Sequence, residues 1–519
     1  MSHAVLNDVS ENSTAATSSS SFGLRLSCTE TSISLSEVIS AMTFALDMTE
    51  GAVPGHSLRS CLLGMRLAAA MDISEEMRSS LYYALQLKDT GCSNNAARMT
   101  QIVGGDDRAA KNIAKLVDWT KPQSFNLRSL KALWSNVLPD GTLIQRVGRM
   151  ARMGLRQHRN NREMIQLRCE RGAEIVRKLE MGELAAEAVR CVDEHWDGSG
   201  YPENLRGENI PLLARICSLA QNLDIFATDS GTDAAMQVVR QRSGKWFDPE
   251  LVKIAEDLNA NGMLWANALV SDGVENTRLG VLALDPGVNT RLGAERVDRI
   301  CEAFASVVDA KSPFTYRHSI GVADVAVQLA EEMGLAPERV QLVRRAALLH
   351  DIGKLHVSNT ILDKRGDLTR EEWAEILKHP AVTRSILERV SSFRELAVVA
   401  SEHHEKMDGT GYPLGLKGHQ MCMESRLIAL ADTFAALAEE RPYREAIMPE
   451  KIMQILAPSV PQKFDPVCFA ALGSLVERWA EERRLGPWTK PVMEEAPAYK
   501  DWPTVVVPTE VLVPTETLV

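Results

Sequence analysis

The sequence has no long apolar run and no paired cysteines, and each absence narrows the class of protein. No apolar stretch approaches the roughly 20 residues that a helix needs to span a bilayer. The Ser- and Thr-rich start also lacks the apolar segment of a signal peptide. The nine cysteines are odd in number and scattered, with no CxxC pair, which is typical of reduced thiols rather than of a disulfide framework. We therefore expect a cytoplasmic protein with no membrane partner.

An excess of positive charge is absent as well. The chain of 519 residues carries 58 Lys and Arg against 69 Asp and Glu, which gives a net charge of −11. A broad acidic field repels phosphate, so a nucleic-acid polymer is not an expected partner. A small anionic ligand in a locally basic pocket is compatible with this composition.

The alternation of polar and apolar residues that marks β-strands is scarce, and helical spacing dominates. Residues 322–335 and 339–353 place apolar side chains at i, i+3 and i+4. Thr369 precedes a helical segment with acids in its first turn, as an N-cap does, and Pro380 interrupts that segment. These patterns predict an all-α architecture.

Short motifs of the first half recur in the second half in the same order. The pairs are Gly55-His56-Ser57 with Arg317-His318-Ser319, Trp196 to Pro202 with Met407 to Pro413, and Phe247-Asp248-Pro249 with Phe464-Asp465-Pro466. The spacing between a histidine and a later aspartate is also equal, in the pairs His56–Asp89 and His318–Asp351. We interpret these agreements as a tandem duplication of one helical domain.

Composition and motif spacing divide the chain into five segments. The predicted segments are a disordered start (1–33), an N-terminal region (34–270), a linker (271–290), a C-terminal region (291–485) and a disordered tail (486–519). The N-terminal region has a further insertion at about 95–160, rich in Arg and Lys, because its matching motifs lie farther apart there.

Histidines and acids of metal-binding type concentrate in the C-terminal region. They comprise His318, the pair His350-Asp351, His379, the pair His403-His404 and Asp432. Imidazole and carboxylate ligands without thiolate favour Fe, Mn or Zn. The two oxygens of a carboxylate such as Asp351 can bridge two ions, and ions roughly 3.5–4 Å apart can share a hydroxide nucleophile and hold a phosphoryl oxygen.

The C-terminal region resembles the HD-GYP phosphodiesterases, a branch of the HD-domain metal-dependent phosphohydrolases. The resemblance rests on His318, His350-Asp351-Ile-Gly-Lys354, His379, His403-His404-Glu405-x-x-Asp408-Gly-x-Gly-Tyr412-Pro413 and Asp432. It implies an all-α fold with a dinuclear or trinuclear metal centre that hydrolyses cyclic di-GMP to pGpG and GMP. Because the motifs recur, we expect two tandem HD-domain-like domains, the first of them degenerate.

The resemblance also implies a role for each matching residue. The metal ligands would be His318, His350, Asp351, His379, His403, His404 and Asp432, with His350, Asp351 and Lys354 at the reaction centre. Lys354 would contact the scissile phosphate, and Tyr412, Arg441 and Arg444 would bind the phosphates of the dinucleotide.

Two positions depart from the pattern of that family. Members with three metals have a glutamate four residues before the first histidine, where this chain has Phe314. We therefore expect two divalent ions, Fe or Mn. Many members also have a second aspartate three residues after the ligand aspartate, where this chain has Ala435. The second departure bears on the level of activity more than on metal binding.

The N-terminal region retains only two of the ligands, His56 and Asp89. Lys88, Arg168 and Asp193 take the positions of His350, His379 and His404, and we predict no dinuclear centre there. In one interpretation Lys88 and Arg168 supply the positive charge of the missing metals and pair with Asp89 and Asp193. In the other, these residues have drifted into a surface patch.

The leading functional hypothesis is a cyclic di-GMP phosphodiesterase. One alternative is an HD-type phosphohydrolase of another cyclic dinucleotide or phosphoester, because the sequence does not reveal pocket specificity. A non-catalytic sensor or scaffold for cyclic di-GMP is a second alternative, against which the complete ligand set argues. A homodimer, or a signalling partner bound through the N-terminal region, is a further open expectation.

Overall fold

Helices make up almost all regular structure in this chain. The computed structural model describes residues 33–117, 127–287, 291–312, 317–364, 366–439 and 446–481. Within these residues the only strands are β1 (Ile33–Ser34) and β2 (Arg291–Leu292), which pair antiparallel with Ile33 opposite Leu292. The prediction of an all-α architecture is confirmed.

The described part of the N-terminal region forms eleven α-helices. They are α1 (Leu35–Thr49), α2 (His56–Ala69), α3 (Glu75–Leu87), α4 (Ala96–Val103), α5 (Asp107–Leu116), α6 (Leu127–Asn136), α7 (Leu143–Lys178), α8 (Glu183–Arg190), α9 (Leu212–Ser230), α10 (Thr232–Arg242) and α11 (Pro249–Ala260). The helix α12 (Val274–Leu282) follows within the predicted linker.

The described part of the C-terminal region forms ten α-helices. They are α13 (Ala294–Asp309), α14 (His318–Glu332), α15 (Pro337–Leu349), α16 (Asn359–Leu362), α17 (Arg370–Ile376), α18 (His379–Leu387), α19 (Arg394–Ser401), α20 (Met423–Ala438), α21 (Pro449–Leu456) and α22 (Pro466–Glu481). A 3₁₀ turn follows α3 at Thr90–Asn95, and another follows α15 at Ile352–His356.

Local sequence explains several of these boundaries. The side chain of Thr369 accepts a hydrogen bond from the backbone of Glu372, which in turn caps Thr369, so the predicted N-cap of α17 is confirmed as a capping box. Pro380 lies in the first turn of α18, where the missing N–H of proline leaves no hydrogen bond unmade. The interrupted pattern therefore marks the start of a new helix.

One hydrophobic core contains buried residues of both regions. Leu46 of α1, Leu63 of α2, Phe304 of α13 and Leu430 of α20 all belong to it. α1 also packs against α18 and the turn Ile352–His356 of the C-terminal region. The elements that carry the candidate ligands are thus supported from both regions.

The predicted linker contacts both regions through α12. Val281 is buried, and its carbonyl oxygen accepts a hydrogen bond from the hydroxyl of Tyr82 at 3.2 Å. Arg278 donates to the carbonyl oxygen of Arg389 at 2.7 Å. The division of the chain into separate domains stays a prediction.

The predicted insertion forms α4, α5, α6 and the first part of α7. Val103, Ala110 and Val137 make a small core of their own there, apart from the main one. The predicted tail (486–519) and residues 1–32 of the predicted disordered start lie outside the described residues. None of the described helices is both long and apolar enough to cross a membrane.

Candidate metal centre

Most of the predicted ligands lie at helix ends, next to α20. His318 begins α14, His350 and Asp351 follow α15, His379 begins α18, and His403 and His404 follow α19. Arg317 has a φ of 69°, in the left-handed region, and this turn leads the chain directly into α14. Asp432 lies within α20 itself. All seven side chains are buried.

The structure brings all seven predicted ligands together. Three overlapping groups have ligand atoms within 4.8 Å of one another, namely His379 with His403 and His404, His318 with His350 and Asp432, and His350 with Asp351 and His403. Five imidazoles and two carboxylates therefore converge on one buried position. This set matches the ligands that divalent transition metals bind in proteins.

Asp351 lies between two sets of histidines. Its Oδ1 is 3.4 Å from His379 Nε2 and 3.8 Å from His403 Nε2. Its Oδ2 is 3.3 Å from His350 Nε2 and 3.9 Å from His318 Nε2. One carboxylate thus presents a different oxygen to each set, which is the arrangement that a bridging ligand requires.

Hydrogen bonds to the backbone orient three of the rings. His350, His379 and His403 each place Nδ1 at 2.7 Å from the carbonyl oxygen three residues earlier. A carbonyl oxygen can only accept, so each Nδ1 carries a proton, and in the neutral ring Nε2 is then the nitrogen with the lone pair. Metal-binding histidines in proteins usually have such an outer partner, which fixes the tautomer.

Buried polar atoms in the site support its fit to metal ions. Among the described residues, His350 Nε2 and Asp351 Oδ1 are buried and make no hydrogen bond. Burial lowers the pKa of His403 to about 4 and also lowers the pKa of His379 and His404. These three imidazoles are therefore neutral at neutral pH, as metal ligands must be.

His318 has a different electrostatic environment. Burial opposes its positive charge, but Glu439 and then Asp432 outweigh burial and raise the pKa of His318 to about 10. Its Nε2 is 3.2 Å from Asp432 Oδ1, and its Nδ1 is 2.9 Å from Glu439 Oε1. A divalent cation at Nε2 would replace the proton that this nitrogen shares with Asp432.

Two of the predicted substrate-binding side chains lie at the centre. Lys354 Nζ is 2.7 Å from Asp351 Oδ2, and the lysine side chain is about one quarter exposed. The ring of Tyr412 stacks on His404 with centroids 4.7 Å apart, and its buried hydroxyl has no hydrogen-bond partner among the described residues. The other two predicted binding residues, Arg441 and Arg444, lie outside the described residues, as does Phe314.

A close backbone contact holds Asp351 beside His379. A Cβ atom on Gly353 would lie 2.0 Å from the carbonyl oxygen of His379, a separation that only glycine permits. Thr383 joins the same elements, since its hydroxyl accepts from Gly353 N at 3.0 Å and donates to the carbonyl oxygen of His350 at 2.8 Å. The motif glycine was the sequence signal for this contact, and Thr383 had none.

Glu405 holds the glycine-rich turn that follows the paired histidines. It is buried, and its two oxygens accept from the backbone N–H groups of Leu414 and Leu416 at 2.7 and 2.8 Å. A Cβ atom on Gly411 would lie 2.4 Å from Lys406 N, so the turn needs glycine there. Glu405 therefore fixes the loop that carries Tyr412. Sequence reasoning placed it in the motif but gave it no role.

The N-terminal region repeats these backbone contacts. A Cβ atom on Gly91 would lie 1.9 Å from the carbonyl oxygen of Arg168. This close contact matches the one between Gly353 and the carbonyl oxygen of His379. The oxygens of Glu194 accept from the backbone N–H groups of Glu203 and Leu205, as Glu405 does in the C-terminal region. The matches that were inferred from motif spacing thus lie in matching structural positions.

The side chains at these matching positions form ion pairs. Lys88 is fully buried, contacts Asp89, and has its Nζ at 3.1 Å from His56 Nε2. Arg168 pairs with Asp193. The structure thus brings together the two pairs that the first interpretation expected, while the absence of metal from this region stays a prediction.

A further group in the N-terminal region, Glu50 with Asp89 and Cys92, has the spacing of metal ligands. Lys115 Nζ and Lys111 Nζ lie 2.8 and 3.3 Å from the carboxylate of Glu50. Although burial opposes ionisation of Glu50, these lysines lower its pKa. Their positive charge already balances the acids, so this group does not call for a cation.

Comparisons with known proteins agree with this architecture. The HD domain family matches residues 79–251 and 302–468. The 3'3'-cGAMP-specific phosphodiesterase 3 of Vibrio cholerae is 39% identical over 450 residues, which cover 86% of this chain and 95% of that protein. A cyclic di-GMP phosphodiesterase of Pseudomonas aeruginosa is 30% identical over 288 residues, which cover 51% of this chain and 67% of that protein.

A solved structure is similar over most of the chain. The crystal structure of a cyclic GMP-AMP-specific phosphodiesterase of V. cholerae superimposes with a TM-score of 0.59 at 35% identity, and the match covers 86% of this chain and 99% of that one. The matched family segments lie in both regions, which confirms two HD segments. From its fold, its histidine and aspartate cluster and these relatives, the chain is a member of the HD-domain family, in the HD-GYP branch.

Proposed function

We propose that the chain is a metal-dependent phosphodiesterase of cyclic dinucleotides. The observation that carries this proposal is the position of Asp351, whose two oxygens face separate sets of histidine nitrogens. Such an arrangement suits two divalent ions held by one bridging carboxylate, and imidazole-rich sites of this kind suit Fe or Mn. When bound, the ions would supply positive charge for the phosphate and a nucleophile at neutral pH.

The residues around the centre have distinct roles in this proposal. The seven histidines and aspartates would hold the ions, and the carbonyl partners of His350, His379 and His403 would keep the Nε2 of these rings available. Lys354 is the partly exposed cation beside Asp351, so it can turn to a non-bridging oxygen of the scissile phosphate. Arg441 and Arg444 are proposed, on the family resemblance, to bind the other phosphate.

Tyr412 is proposed to orient the substrate. Its ring is fixed against His404, and its hydroxyl lacks a partner among the described residues. Burial, with a further contribution from Asp432, raises the pKa of Tyr412, so the hydroxyl keeps its proton and donates a hydrogen bond to a phosphate oxygen.

We propose 3'3'-cGAMP as the favoured substrate. The support is the relative that bears this specificity in its name, which aligns along 95% of its own length. Cyclic di-GMP, which the sequence suggested first, is the second candidate, and the Pseudomonas aeruginosa relative supports it. Both share the same cyclic phosphodiester, so the proposed chemistry at Asp351 and Lys354 is common to them.

The test uses the full chain, purified without oxygen and analysed for Fe and Mn. Initial rates with 3'3'-cGAMP and with cyclic di-GMP are compared, beside the His350→Ala/Asp351→Ala variant. We expect about two metal ions per chain, a kcat/KM for 3'3'-cGAMP at least about tenfold higher, which equals ~1.4 kcal/mol, and no hydrolysis by the variant.

Each other outcome has a definite meaning. The reverse order of kcat/KM would favour cyclic di-GMP. Binding of either nucleotide to metal-loaded protein without hydrolysis would overturn the enzyme proposal in favour of a sensor. Hydrolysis that persists in the variant would move the reaction away from this centre.

A further inference from the structure

The imidazole of His318 is held between two carboxylates. Its Nε2 faces the ligand Asp432, while its Nδ1 lies 2.9 Å from Oε1 of Glu439, at the end of α20. The side chains of His318 and Glu439 are 4% and 12% exposed. His350, His379 and His403 use backbone carbonyls for the same purpose, so His318 alone of these four rings has a side-chain partner at Nδ1.

The matching histidine of the N-terminal region also has a carboxylate at Nδ1, but from another position. His56 Nδ1 lies 2.6 Å from Oδ2 of Asp224, on α9. An arginine near the start of α9 and one near the start of α20 make equivalent ion pairs, Arg215–Asp248 at 2.6 Å and Arg426–Asp465 at 3.0 Å. These pairs set the residue-by-residue alignment of α9 with α20. In that alignment the position of Asp224 is occupied by Ala435, and Glu439 lies one helical turn later, where α9 has Thr228.

A residue on the facing helix also differs between the two regions. In the N-terminal region Arg59, three residues after His56, donates to Asp224 Oδ1 at 2.5 Å. The position three residues after His318 is Gly321, and a Cβ atom there would lie 3.7 Å from Glu439 Oε1. The carboxylate of Glu439 thus lies beside a glycine, at the position where the N-terminal region has the long side chain of an arginine.

We propose that Glu439 is a positioning residue of the metal centre. It takes the place of the aspartate that is missing at position 435, where this chain has Ala435. Glu439 accepts the hydrogen bond of the His318 Nδ1–H, fixes the tautomer and directs Nε2 at the metal. The negative charge of Glu439 at Nδ1 also makes Nε2 a stronger electron-pair donor to a metal cation. The two regions therefore differ at three neighbouring positions, where the C-terminal region has Gly321, Ala435 and Glu439 and the N-terminal region has an arginine, an aspartate and a threonine.

This inference deepens the proposed function and rests on it for the identity of the bound group. It also bears on the expectation drawn from Ala435. The missing aspartate need not lower activity, because another carboxylate occupies the same side of the ring.

The experiment measures metal affinity before activity. Full-length protein is stripped of metal, and Mn²⁺ binding is titrated for wild type, Glu439→Ala, Glu439→Gln and the exchange variant Ala435→Asp/Glu439→Ala. Glu331→Ala is the matched control, since Glu331 is an exposed acid on the helix that His318 begins. The values of kcat and KM are then measured with the preferred dinucleotide.

We expect Glu439→Ala to bind Mn²⁺ about 10- to 100-fold more weakly, which is the usual cost of losing an outer partner of a ligand. Glu439→Gln keeps an acceptor oxygen without the charge and should lie between Glu439→Ala and wild type. The exchange variant should regain most of the affinity, because the carboxylate returns from the position that Asp224 uses. Glu331→Ala should match wild type.

A purely structural role predicts a different result. In that case the Glu439 variants would unfold at lower temperature but bind Mn²⁺ normally while folded, and the exchange would restore nothing. Wild-type affinity in folded Glu439→Ala overturns the inference; if that variant does not fold, the same result for Glu439→Gln, together with an unrestored exchange variant, overturns it. If wild type binds metal but hydrolyses neither dinucleotide, the proposed function fails while the affinities still decide the role of Glu439.

Discussion

The N-terminal and C-terminal regions share backbone contacts and differ in the charges that those contacts surround. In the C-terminal region Asp351 lies among histidine nitrogens and beside Lys354, in the cluster that we propose to hold metal ions. In the N-terminal region Asp89 occupies the matching position and contacts the ammonium group of Lys88. Both arrangements balance buried carboxylates, one with side-chain cations and the other with the metal that we propose.

The comparison teaches that the backbone contacts around the centre do not depend on which side chains lie within it. Gly91 and Gly353 make the same close backbone approach, and Glu194 and Glu405 hold the same turn. A glycine-rich turn with a following Tyr-Pro is therefore a marker of the fold. The histidines and the residues behind them carry the information about metal binding.

The largest expected effect separates the two aspartates. Asp351→Asn should lose most of its bound metal, and its hydrolysis should fall about 10³-fold or more, because a neutral amide cannot bridge two cations. The matched variant Lys88→Met/Asp89→Asn removes both charges of the buried pair, which is often nearly neutral for stability. Its metal content and kcat/KM should equal those of wild type.

Metal analysis and initial rates check this prediction. Loss of metal from the Lys88→Met/Asp89→Asn variant would mean that the N-terminal region also binds an ion. Both regions would then bind metal, although their side chains indicate that only the C-terminal region does.

The glycine pair should give the next largest effect. A Cβ atom at Gly91 or Gly353 would overlap a backbone oxygen, so Gly91→Ala and Gly353→Ala should each lower the free energy of unfolding by about 1–3 kcal/mol. Only Gly353→Ala should also weaken Mn²⁺ binding, because it displaces His379. Denaturant unfolding and metal titration measure the two effects.

Gly148→Ala is the control for the substitution itself. A Cβ atom at Gly148, within α7, would meet no atom within 4 Å. This variant should be stabilised by ~0.5–1 kcal/mol, since alanine favours the helix over glycine. Equal loss of Mn²⁺ affinity in Gly91→Ala and Gly353→Ala would contradict the assignment of the centre to one region.

Local patterns in the sequence were sufficient to predict the helical fold and the cap at Thr369. The candidate ligands stood out as a group of histidines and acids, and the family resemblance assigned their roles, since spacing alone cannot bring α14, α15, α18 and α20 to one point. That assembly depends on contacts between distant segments, such as Gly353 against the backbone of His379. The sequence marked the glycine but could not identify its neighbour.

The residues that sequence reasoning missed have partners far away in the chain. Glu439 is one helical turn from the position where an aspartate was expected, and it lies beside Gly321 of another helix. The packing of α12 likewise depends on Tyr82 and Arg389, which are distant in sequence. No pattern within a short window contains such information.

The smallest expected effect concerns how independent the two regions are. Asp107 of α5 is fully buried, and its Oδ1 accepts from Ser358 Oγ at 3.1 Å and from Asn359 N at 3.0 Å. These partners begin α16, just after the turn that carries Lys354. An acid from the predicted insertion therefore holds a segment of the C-terminal region next to the metal centre.

Asp107→Ala should leave the buried N–H of Asn359 without its acceptor and lower the free energy of unfolding by about 1–3 kcal/mol. It should also lower kcat/KM by less than Asp351→Asn does, because Lys354 loses support without any loss of a ligand. The exposed Asp140, which follows α6, provides the control Asp140→Ala, which should match wild type. Thermal unfolding and steady-state kinetics measure both quantities. If Asp107→Ala has wild-type stability and rate, the two regions act independently at this contact, and the charge balance of each must be explained within that region alone.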